Sequence, residues 1–388
     1  MMVDCEIVEP RTTRLIRVTW DSGDEVSFPY IWFRHELFFG SESGGIPTRE
    51  EWSLPDDPKT LLVRDLRVED QILKITWEDE VVTEHSLNYL WQHRPRLSSD
   101  TTQRHKAILW TGDEISQFRW FDVGDLENDQ DHLALLRSLL DYGVARVKGL
   151  NSNPDSFENL CRYFGPIHET GYGRLFEVRT DSSIELGANT AVELGPHNDE
   201  SYRHHPPGIT IFQCIEAHPS GGATTLYDGF LAAEFLRQDD PESFDLLVST
   251  PIDFSSYSSG LHYRSEARVI STDRTGTVCG VRWTDRTIDR PDVPIDLIEP
   301  VYEALYSFSR ALARPEVEYR YRLNPGEVHI FDNQRVLHGR TAFDPNAGGR
   351  HLRQAAVDRD EFHSTLRLVA TRLGESVADL AYSPGAFG

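Results

Sequence analysis

The alternation of apolar and polar residues in the first hundred positions predicts β-hairpins. Two stretches, LIRVTWDSGDEVSFPY from Leu15 and ILKITWEDEVVTEHSLNYLW from Ile72, each contain an alternating run, an acidic turn and a second run. A period of two is typical of strands with one buried face, and a short polar break between two such runs indicates a hairpin. We therefore predict a small β-rich domain over residues 1–100.

The pattern beyond residue 113 predicts a larger domain, 113–388. DHLALLRSLLDYG has leucines at helical spacing and ends at Gly143, which predicts a helix, and a strand is expected in VARV after it. Two further helices are predicted in SFENLCRYFG, with Ser156 as N-cap, and in EPVYEALYSFSRALA. The rest consists of short apolar runs separated by Gly, Pro, Asp and Asn, which indicates an all-β sandwich or jelly roll with helices packed outside. The domain boundary is predicted in the polar stretch Arg94–Gly112.

Composition narrows the classes of function. The formal charge of −24 opposes binding to nucleic acid or to an anionic membrane, and no run of eighteen apolar residues is present. The first residues lack a basic segment followed by an apolar run, so no secretory signal is predicted. The cysteines form no CxxC pair, which favours reduced thiols and a cytoplasmic location; they are Cys5, Cys161, Cys214 and Cys279.

Three residues are candidate metal ligands. His197 and Asp199 are two positions apart in GPHNDESYRHHPPG, and residues so spaced on a strand share a face. GEVHIFDNQRVLHGRTAF is predicted as strand, Asp332-Asn333 turn and strand, and it supplies His338. Two histidines and one carboxylate suit iron(II), with the remaining positions open. An isolated HxD pair also occurs by chance, so the prediction depends on the residues that accompany it.

An arginine twelve positions beyond His338 is the candidate anchor for a carboxylate. In GGRHLRQAAV, alternation places Arg350 on one face with Leu352, Gln354 and Ala356, whereas Arg353 would take its place if the register shifted by one. A guanidinium holds a carboxylate through two parallel hydrogen bonds, which suits the distal carboxylate of 2-oxoglutarate. Thr224, after two glycines and an alanine, is predicted to add a hydroxyl. An arbitrary arginine more often forms a surface ion pair.

Nearly the whole chain resembles the γ-butyrobetaine and trimethyllysine dioxygenase group of the taurine dioxygenase-like superfamily. The resemblance is carried by HNDESYRHHPPGITIFQCIEAHPSGGATTLYDGF, NPGEVHIFDNQRVLHGR and GGRHLRQAAVDRD. It implies a mainly β fold with flanking helices, in which a double-stranded β-helix (jelly roll) catalytic domain follows a small β-rich domain. It also implies iron ligation by His197, Asp199 and His338, 2-oxoglutarate contacts at Arg350 and Thr224, and a homodimer.

The same resemblance implies the reaction. The enzyme would use Fe(II), O2 and 2-oxoglutarate as co-substrate, with ascorbate as reductant in vitro. It would convert 2-oxoglutarate to succinate and carbon dioxide while hydroxylating an unactivated C–H bond of a small molecule. The same oxidative chemistry giving desaturation or cyclisation remains an alternative.

The sequence departs from the family pattern at a structural zinc site. γ-Butyrobetaine dioxygenase-like enzymes usually bind zinc in the N-terminal domain through three cysteines and a histidine. Here the corresponding stretch is IWFRHELFFGSESGG, and no cysteine lies between Cys5 and Cys161. His85 corresponds to the histidine alone. We therefore predict that no structural zinc is bound and that apolar packing maintains this domain.

A second departure concerns the substrate pocket. Ring faces attract cations, and the family surrounds a trimethylammonium group with aromatic residues. Tyr172 and Phe176 match two positions of that cage, whereas Asn189 and Ala356 occupy two others. VRWTDRT places Thr284 and Asp285 near where the family uses asparagine to hold the substrate carboxylate, and an aspartate would repel that group. The hypothesis is a substrate other than γ-butyrobetaine, larger and with a hydroxyl or amine facing Asp285; equally, the aromatic residues could be core and Asp285 could pair with a neighbouring arginine.

Two other classes of protein fit parts of the sequence. A catalytically silent jelly-roll binding protein would retain the pocket, but it would not need the three metal ligands and Arg350 together. A zinc hydrolase also uses two histidines and a carboxylate, but no general base stands out nearby. Release of succinate from 2-oxoglutarate in the presence of iron(II) and ascorbate separates an oxygenase from both.

Overall fold

The computed structural model describes residues 3–8, 14–36, 57–92, 94, 105–170, 172–179, 191–258, 260–375 and 377. The chain divides into two compact units, Met1–Gln103 and Arg104–Gly388. This division falls between the predicted domain bounds at 100 and 113. No helix in the described ranges is both long enough and apolar enough to cross a bilayer.

The N-terminal unit contains two three-stranded antiparallel sheets, each followed by a short helix. The first sheet comprises β1 (Val3–Val8), β2 (Leu15–Trp20) and β3 (Glu25–Pro29), and α1 (Tyr30–Glu36) follows. A 3-10 turn, Pro58–Thr60, precedes the second sheet, which comprises β4 (Val63–Glu69), β5 (Ile72–Trp77) and β6 (Val82–Ser86), and α2 (Leu87–Gln92) follows.

Both predicted hairpins are present as β2–β3 and β5–β6, with Val18 opposite Val26 and Ile75 opposite Thr83. The ends of the two predicted runs are helical instead, because α1 and α2 place Phe33 and other apolar side chains in the core. The alternating residues form one buried cluster that includes Ile16, Val18, Phe28, Leu73, Ile75 and Trp77.

His85 belongs to this apolar core. Its ring packs edge-on against Phe33, with 5.0 Å between ring centroids, and its Nε2 atom lies 2.9 Å from Thr83 Oγ1. Burial lowers the pKa of His85 to about 4, so the ring is neutral at neutral pH. Part of the stretch that corresponds to the family zinc site lies outside the described residues, and the absence of zinc stays a prediction.

Two sheets form most of the C-terminal unit. The larger has the strand order β10-β21-β12-β19-β8-β7 with β9 paired to β21, and only the β7–β8 pair is parallel. Its strands are β7 (Trp120–Asp122), β8 (Val144–Lys148), β9 (Ile167–His168), β10 (Phe176–Arg179), β12 (Ile209–Glu216), β19 (Val328–Asp332) and β21 (His351–Val357). The smaller sheet, in the order β11-β20-β13-β18, comprises β11 (Leu194–His197), β13 (Thr224–Asp228), β18 (Glu318–Tyr321) and β20 (Val336–Arg340).

The remaining elements flank these sheets. Two ribbons pair β14 (Ile252–Ser258) with β15 (Leu261–Ala267) and β16 (Ile270–Thr272) with β17 (Val278–Val281). The helices are α3 (Gly112–Ser116), α4 (Asp129–Tyr142), α5 (Pro154–Cys161), α6 (Gly229–Asp239), α7 (Pro241–Ser249), α8 (Ile295–Leu312) and α9 (Arg359–Arg372), and a 3-10 segment spans Val123–Glu127.

The outer face of the larger sheet is covered by α4, α5 and α9. Leu135, Phe157 and Leu366 from these helices join Ile211 and Ile330 from the strands in one buried cluster. A cavity lies between the inner face of the larger sheet and the smaller sheet, and side chains of both sheets line it. The predicted architecture, a mainly β jelly roll with flanking helices, is confirmed.

The predicted helices are present with shifted ends. Gly143 is the C-cap of α4, as the sequence predicted, and its backbone is in the left-handed region with φ 71°. The N-cap of α5 is Asn153 rather than the predicted Ser156. The helix begins earlier because Pro154 is favourable as the first helical residue, and the Asn153 side chain accepts a hydrogen bond from the Asp155 amide. α8 also begins earlier than predicted, at Ile295.

Candidate active site

The three candidate metal ligands meet in one cavity of about 280 Å³ between the two sheets. His197 ends β11 and lies directly opposite His338 on β20 in the antiparallel register. The two imidazole centroids are 4.2 Å apart. Asp199 lies in the turn after β11, and its Oδ1 atom is 3.8 Å from His197 Nε2 and 3.5 Å from His338 Nε2. Within the described residues, these side chains are the one cluster whose geometry suits a metal ion.

Two asparagines fasten the His197–Asp199 turn to the β19–β20 turn. Asn333 Oδ1 accepts the Asp199 amide at 2.8 Å, and Asn333 Nδ2 donates to the Asp199 carbonyl at 3.1 Å. Asn198 Nδ2 donates to the Asn333 carbonyl, and Asn198 also exchanges hydrogen bonds with the backbone of Trp283. Residues far apart in sequence are thus held at the site by buried side-chain bonds.

Gln354 orients the carboxylate ligand. Its Nε2 atom donates to Asp199 Oδ2 at 2.6 Å, which leaves Oδ1 facing the two histidines. His197 is oriented in the same way, since its Nδ1 atom lies 2.9 Å from the Gly195 carbonyl and Nε2 points to the cluster. Hydrogen bonds of this kind fix the direction of metal ligands and tune their basicity.

The protonation states suit metal binding. Burial lowers the pKa of His197 and of His338 to about 3, so both rings are neutral and offer a lone pair at neutral pH. Burial also raises the pKa of Asp199, although His197 and the Gln354 hydrogen bond oppose this shift. A bound cation favours the ionised carboxylate. The residues present therefore fit a divalent metal of the kind that two histidines and one carboxylate bind.

At another part of the cavity wall, Arg350 precedes β21 and Thr224 begins β13. Burial, and then the charge of Arg340, lower the pKa of Arg350 to about 10, so its guanidinium stays positive at neutral pH. No carboxylate partner of Arg350 is recorded among the described side chains. A partly buried cation and a hydroxyl, in the same cavity as the candidate metal ligands, suit the distal carboxylate of a dicarboxylic acid.

The register of β21 places alternate side chains in the cavity. Leu352, Gln354 and Ala356 line it together with Arg350, as the alternation predicted. Arg353 faces away: its Nε atom binds Glu177 Oε1 at 2.7 Å and its Nη1 atom donates to a carbonyl. The alternative register, with Arg353 in the cavity, is therefore wrong.

The predicted substrate residues divide into three groups. Tyr172, Phe176 and Ala356 line the cavity, and the centroids of the two aromatic rings are 5.5 Å apart. The Tyr172 hydroxyl also lies 3.1 Å from that of Tyr202, which lines the cavity as well. Asn189 lies outside the described residues.

The prediction for Asp285 is wrong in position. Its side chain is exposed and does not line the cavity, whereas Thr284 and Arg286 on either side of it do. The Asn198–Trp283 bonds fix the start of this segment, and of the four residues that follow, Thr284, Arg286 and Thr287 line the cavity whereas Asp285 does not. Of the two charged residues here, Asp285 and Arg286, it is Arg286 that lines the cavity.

Several residues of the site were not identified from the sequence. They are Gln354 as a partner of Asp199, the Asn198–Asn333 pair, Arg286, Thr287 and Tyr321. For Gln354 a signal was available, because its place on the same face as Arg350 was predicted without a role. The others depend on contacts between distant segments.

A jelly roll with two histidines, a carboxylate and a partly buried arginine around one cavity defines the class of protein: an iron(II)- and 2-oxoglutarate-dependent dioxygenase. The family model of taurine catabolism dioxygenases, the TauD, TfdA family, matches residues 102–356. The chain belongs to this family.

Similar curated proteins agree with this assignment. The chain is 29% identical over 357 residues to γ-butyrobetaine dioxygenase of Pseudomonas sp. (strain AK-1), with 90% of this chain and 92% of the relative covered. It is 28% identical over 380 residues to the human γ-butyrobetaine dioxygenase, covering 92% and 95%. Human mitochondrial trimethyllysine dioxygenase is 29% identical over 356 residues, covering 88% and 82%.

Among solved structures, asparagine oxygenase in complex with Fe(II), 2S,3S-3-hydroxyasparagine and succinate aligns with a TM-score of 0.48 and 19% identity. The alignment covers 59% of this chain and 78% of that chain. The family assignment rests on the family model and on the residues of the site. The protein is an oxidoreductase that uses Fe(II), 2-oxoglutarate and dioxygen.

Proposed function

We propose that the enzyme oxidises a C–H bond of a small organic molecule, with His197, Asp199 and His338 as the iron ligands and with Arg350 and Thr224 holding 2-oxoglutarate. The observation that carries this proposal is the convergence of the three ligand atoms within 4.8 Å of one another in the cavity that Arg350 also lines. The cavity volume of about 280 Å³ suits small molecules.

The bound iron supplies the oxidising chemistry, and the protein supplies geometry. Arg350 and Thr224 would hold the distal carboxylate of 2-oxoglutarate in the cavity that the histidines also line. Gln354 keeps Asp199 Oδ1 directed at the metal. Tyr172 and Phe176 offer apolar surface against which the substrate packs, and a substrate held in one pose exposes one C–H bond to oxidation.

The test is formation of succinate from 2-oxoglutarate with iron(II) and ascorbate, first alone and then with candidate substrates under mass detection of the product. Asp199→Ala and Arg350→Gln should reduce succinate formation at least a hundredfold. Asp285→Ala is the matched control, because it removes an exposed aspartate that does not line the cavity, and it should retain activity. Equal activity in Asp199→Ala and wild type would contradict the proposed ligands.

The substrate is proposed to differ from γ-butyrobetaine. Among the described positions that correspond to an aromatic cage, Tyr172 and Phe176 are aromatic but Ala356 is not, which weakens attraction for a trimethylammonium group. Comparison of succinate formation with γ-butyrobetaine and with other acids tests this point. Coupled, stoichiometric hydroxylation of γ-butyrobetaine as the preferred substrate would contradict it.

We also propose a cytoplasmic homodimer. Cys161, Cys214 and Cys279 are buried thiols, which suits a reducing compartment, and the resemblance to the γ-butyrobetaine dioxygenase group supports the dimer. Light scattering on the purified protein should give about twice the mass of one chain, and a single-chain mass would contradict the dimer. Subcellular fractionation tests the location.

A further inference from the structure

One face of α8 exposes large apolar side chains to solvent. Ile295 is 85% exposed, which makes it the most exposed large apolar residue in the described part of the chain, and Tyr302 and Tyr306 are 38% and 66% exposed. Single exposed apolar residues are common on soluble proteins. These three lie on the same face of one helix, and an apolar patch of this kind marks an interaction surface.

The helix that carries this face is firmly fixed. Its opposite side belongs to a buried apolar cluster through Ala304, Leu305 and Phe308. The Phe308 ring packs edge-on against Trp283, with 5.3 Å between ring centroids. A rigid element therefore presents the exposed face, and the exposure does not come from a loosely packed helix.

The exposed residues are arranged symmetrically along the helix. Ile295, Tyr302, Tyr306 and the exposed C-cap residue Ala313 follow one another at intervals of seven, four and seven positions. An α-helix completes five turns in about 18 residues, so the four side chains lie in one stripe. The midpoint of this stripe is position 304. In an antiparallel pair of α8 helices that meet at this point, Tyr302 would face Tyr306 of the second copy. Ile295 would likewise face Ala313.

The charges beside the stripe follow the same symmetry. Glu299 lies five positions before the midpoint and Arg310 six positions after it, and both are exposed. Helical spacing places them on the same side of the stripe. In the antiparallel arrangement, Glu299 of each copy would therefore face Arg310 of the other. Within one chain, Glu299 forms no ion pair with a described residue, and Arg310 Nη2 donates to Ser307 Oγ at 2.9 Å.

This arrangement favours a second copy of the chain as the partner. The formal charge of −24 makes two copies repel each other over most of their surfaces. Association therefore needs a face on which basic residues meet acidic ones, and α8 provides such a face through Glu299 and Arg310. A two-fold axis pairs a surface with itself, which requires this kind of self-complementarity.

We propose that the exposed face of α8 is the surface through which two copies of this chain pair, with the two helices antiparallel. The tyrosines form the apolar centre of the contact and the charged residues lie beside it, an arrangement common in protein interfaces. This inference rests on the proposed homodimer and specifies its interface.

Sedimentation equilibrium of the full-length chain measures the dissociation constant of the dimer. Each contact occurs twice about the two-fold axis, so Tyr306→Ala should raise the constant roughly a hundredfold. Glu299→Arg and Arg310→Glu each replace two attractive contacts with repulsive ones, and each should raise the constant about tenfold. The double variant Glu299→Arg/Arg310→Glu exchanges the two signs and should return close to the wild-type constant.

Tyr257→Ala is the matched control, because Tyr257 is also an exposed tyrosine but lies on β14. Its dimer should dissociate like that of wild type. The circular dichroism spectrum of every variant should match that of wild type, since all the substituted side chains are exposed.

Two results would overturn the surface while leaving the homodimer in place. One is a Tyr306→Ala dimer as tight as wild type, and the other is a double charge variant no tighter than the single ones. A single-chain mass for wild type at every concentration would overturn both the surface and the homodimer. Failure of the proposed oxygenase function is distinct, since it would appear as absence of succinate formation by dimeric wild type.

Discussion

Replacing Tyr321 with phenylalanine should weaken binding of 2-oxoglutarate without destabilising the protein. Tyr321 ends β18 and lines the cavity, directly opposite Thr224 in the sheet register. Its hydroxyl is buried and makes no well-formed hydrogen bond to any described residue. It is also close enough to Arg350 to influence the pKa of that side chain. The hydroxyl is thus placed to donate to the carboxylate that Arg350 is proposed to bind.

The magnitude follows from what the substitution removes. A hydrogen bond to a charged group contributes about 1.5–3 kcal/mol, so the dissociation constant of 2-oxoglutarate should rise roughly 10- to 150-fold. The free energy of unfolding without ligand should change by less than about 1 kcal/mol, because the protein group that loses a contact is the Thr224 hydroxyl, and its contact with the Tyr321 hydroxyl is not a well-formed hydrogen bond. The ring stays fixed by stacking on His329, with 4.0 Å between ring centroids.

The assay is anaerobic titration of the iron(II) protein with 2-oxoglutarate, combined with urea denaturation of the unliganded protein. Tyr319→Phe is the matched control: its ring stacks on that of Tyr321 at 4.8 Å, but its hydroxyl accepts a hydrogen bond from Arg146. Tyr319→Phe should bind 2-oxoglutarate normally. A 2-oxo acid without the distal carboxylate, 2-oxobutyrate, should bind equally well to wild type and Tyr321→Phe. Unchanged affinity of Tyr321→Phe for 2-oxoglutarate would refute the reasoning.

Three further substitutions test the supports of the site. Gln354→Leu removes the hydrogen bond to Asp199 Oδ2 and should weaken iron binding about tenfold in a metal titration; unchanged binding would show that Asp199 needs no support. Asn333→Ala removes two hydrogen bonds to the Asp199 backbone, so it should lower the free energy of unfolding by about 2 kcal/mol and also weaken iron binding. If both the stability and the iron affinity stayed at the wild-type level, the prediction would be wrong. Arg335→Leu leaves the buried Asp228 carboxylate unpaired and should cost about 3–5 kcal/mol in urea denaturation, partly restored by Asp228→Asn; a cost below 1 kcal/mol would argue against a structural ion pair.

The sequence predicted which of the candidate iron and 2-oxoglutarate residues share a face, because that depends on short-range regularities. His197 and Asp199 are two residues apart, and Arg350 shares the period of β21 with Gln354. These relations hold in any jelly roll that keeps the strand register. The position of Asp285 was not predicted because this residue lies in a turn rather than a strand. In that turn, side-chain directions depend on contacts with a distant segment, such as the Asn198–Trp283 hydrogen bonds.

Helix ends and added strands were predicted less well for a related reason. Ser156 is a reasonable N-cap by residue type, but Asn153 before Pro154 makes a better start to α5, and two candidate caps so close together compete. β1 and β4 pair with the predicted hairpins through backbone hydrogen bonds, which most residue types can form. Such strands leave a weak signal in the hydrophobic pattern.

The division of the cavity between sheets and turns explains how substrate choice can vary while the chemistry stays fixed. The metal ligands and the proposed 2-oxoglutarate contacts lie on or immediately next to β11, β13, β20 and β21, whose register cannot shift without turning every side chain to the opposite face. Arg286 and Thr287 lie in a turn between β17 and α8, so substitutions there change the charge presented to the substrate and leave those strands intact. This turn can therefore vary while the residues proposed to bind iron and 2-oxoglutarate are kept.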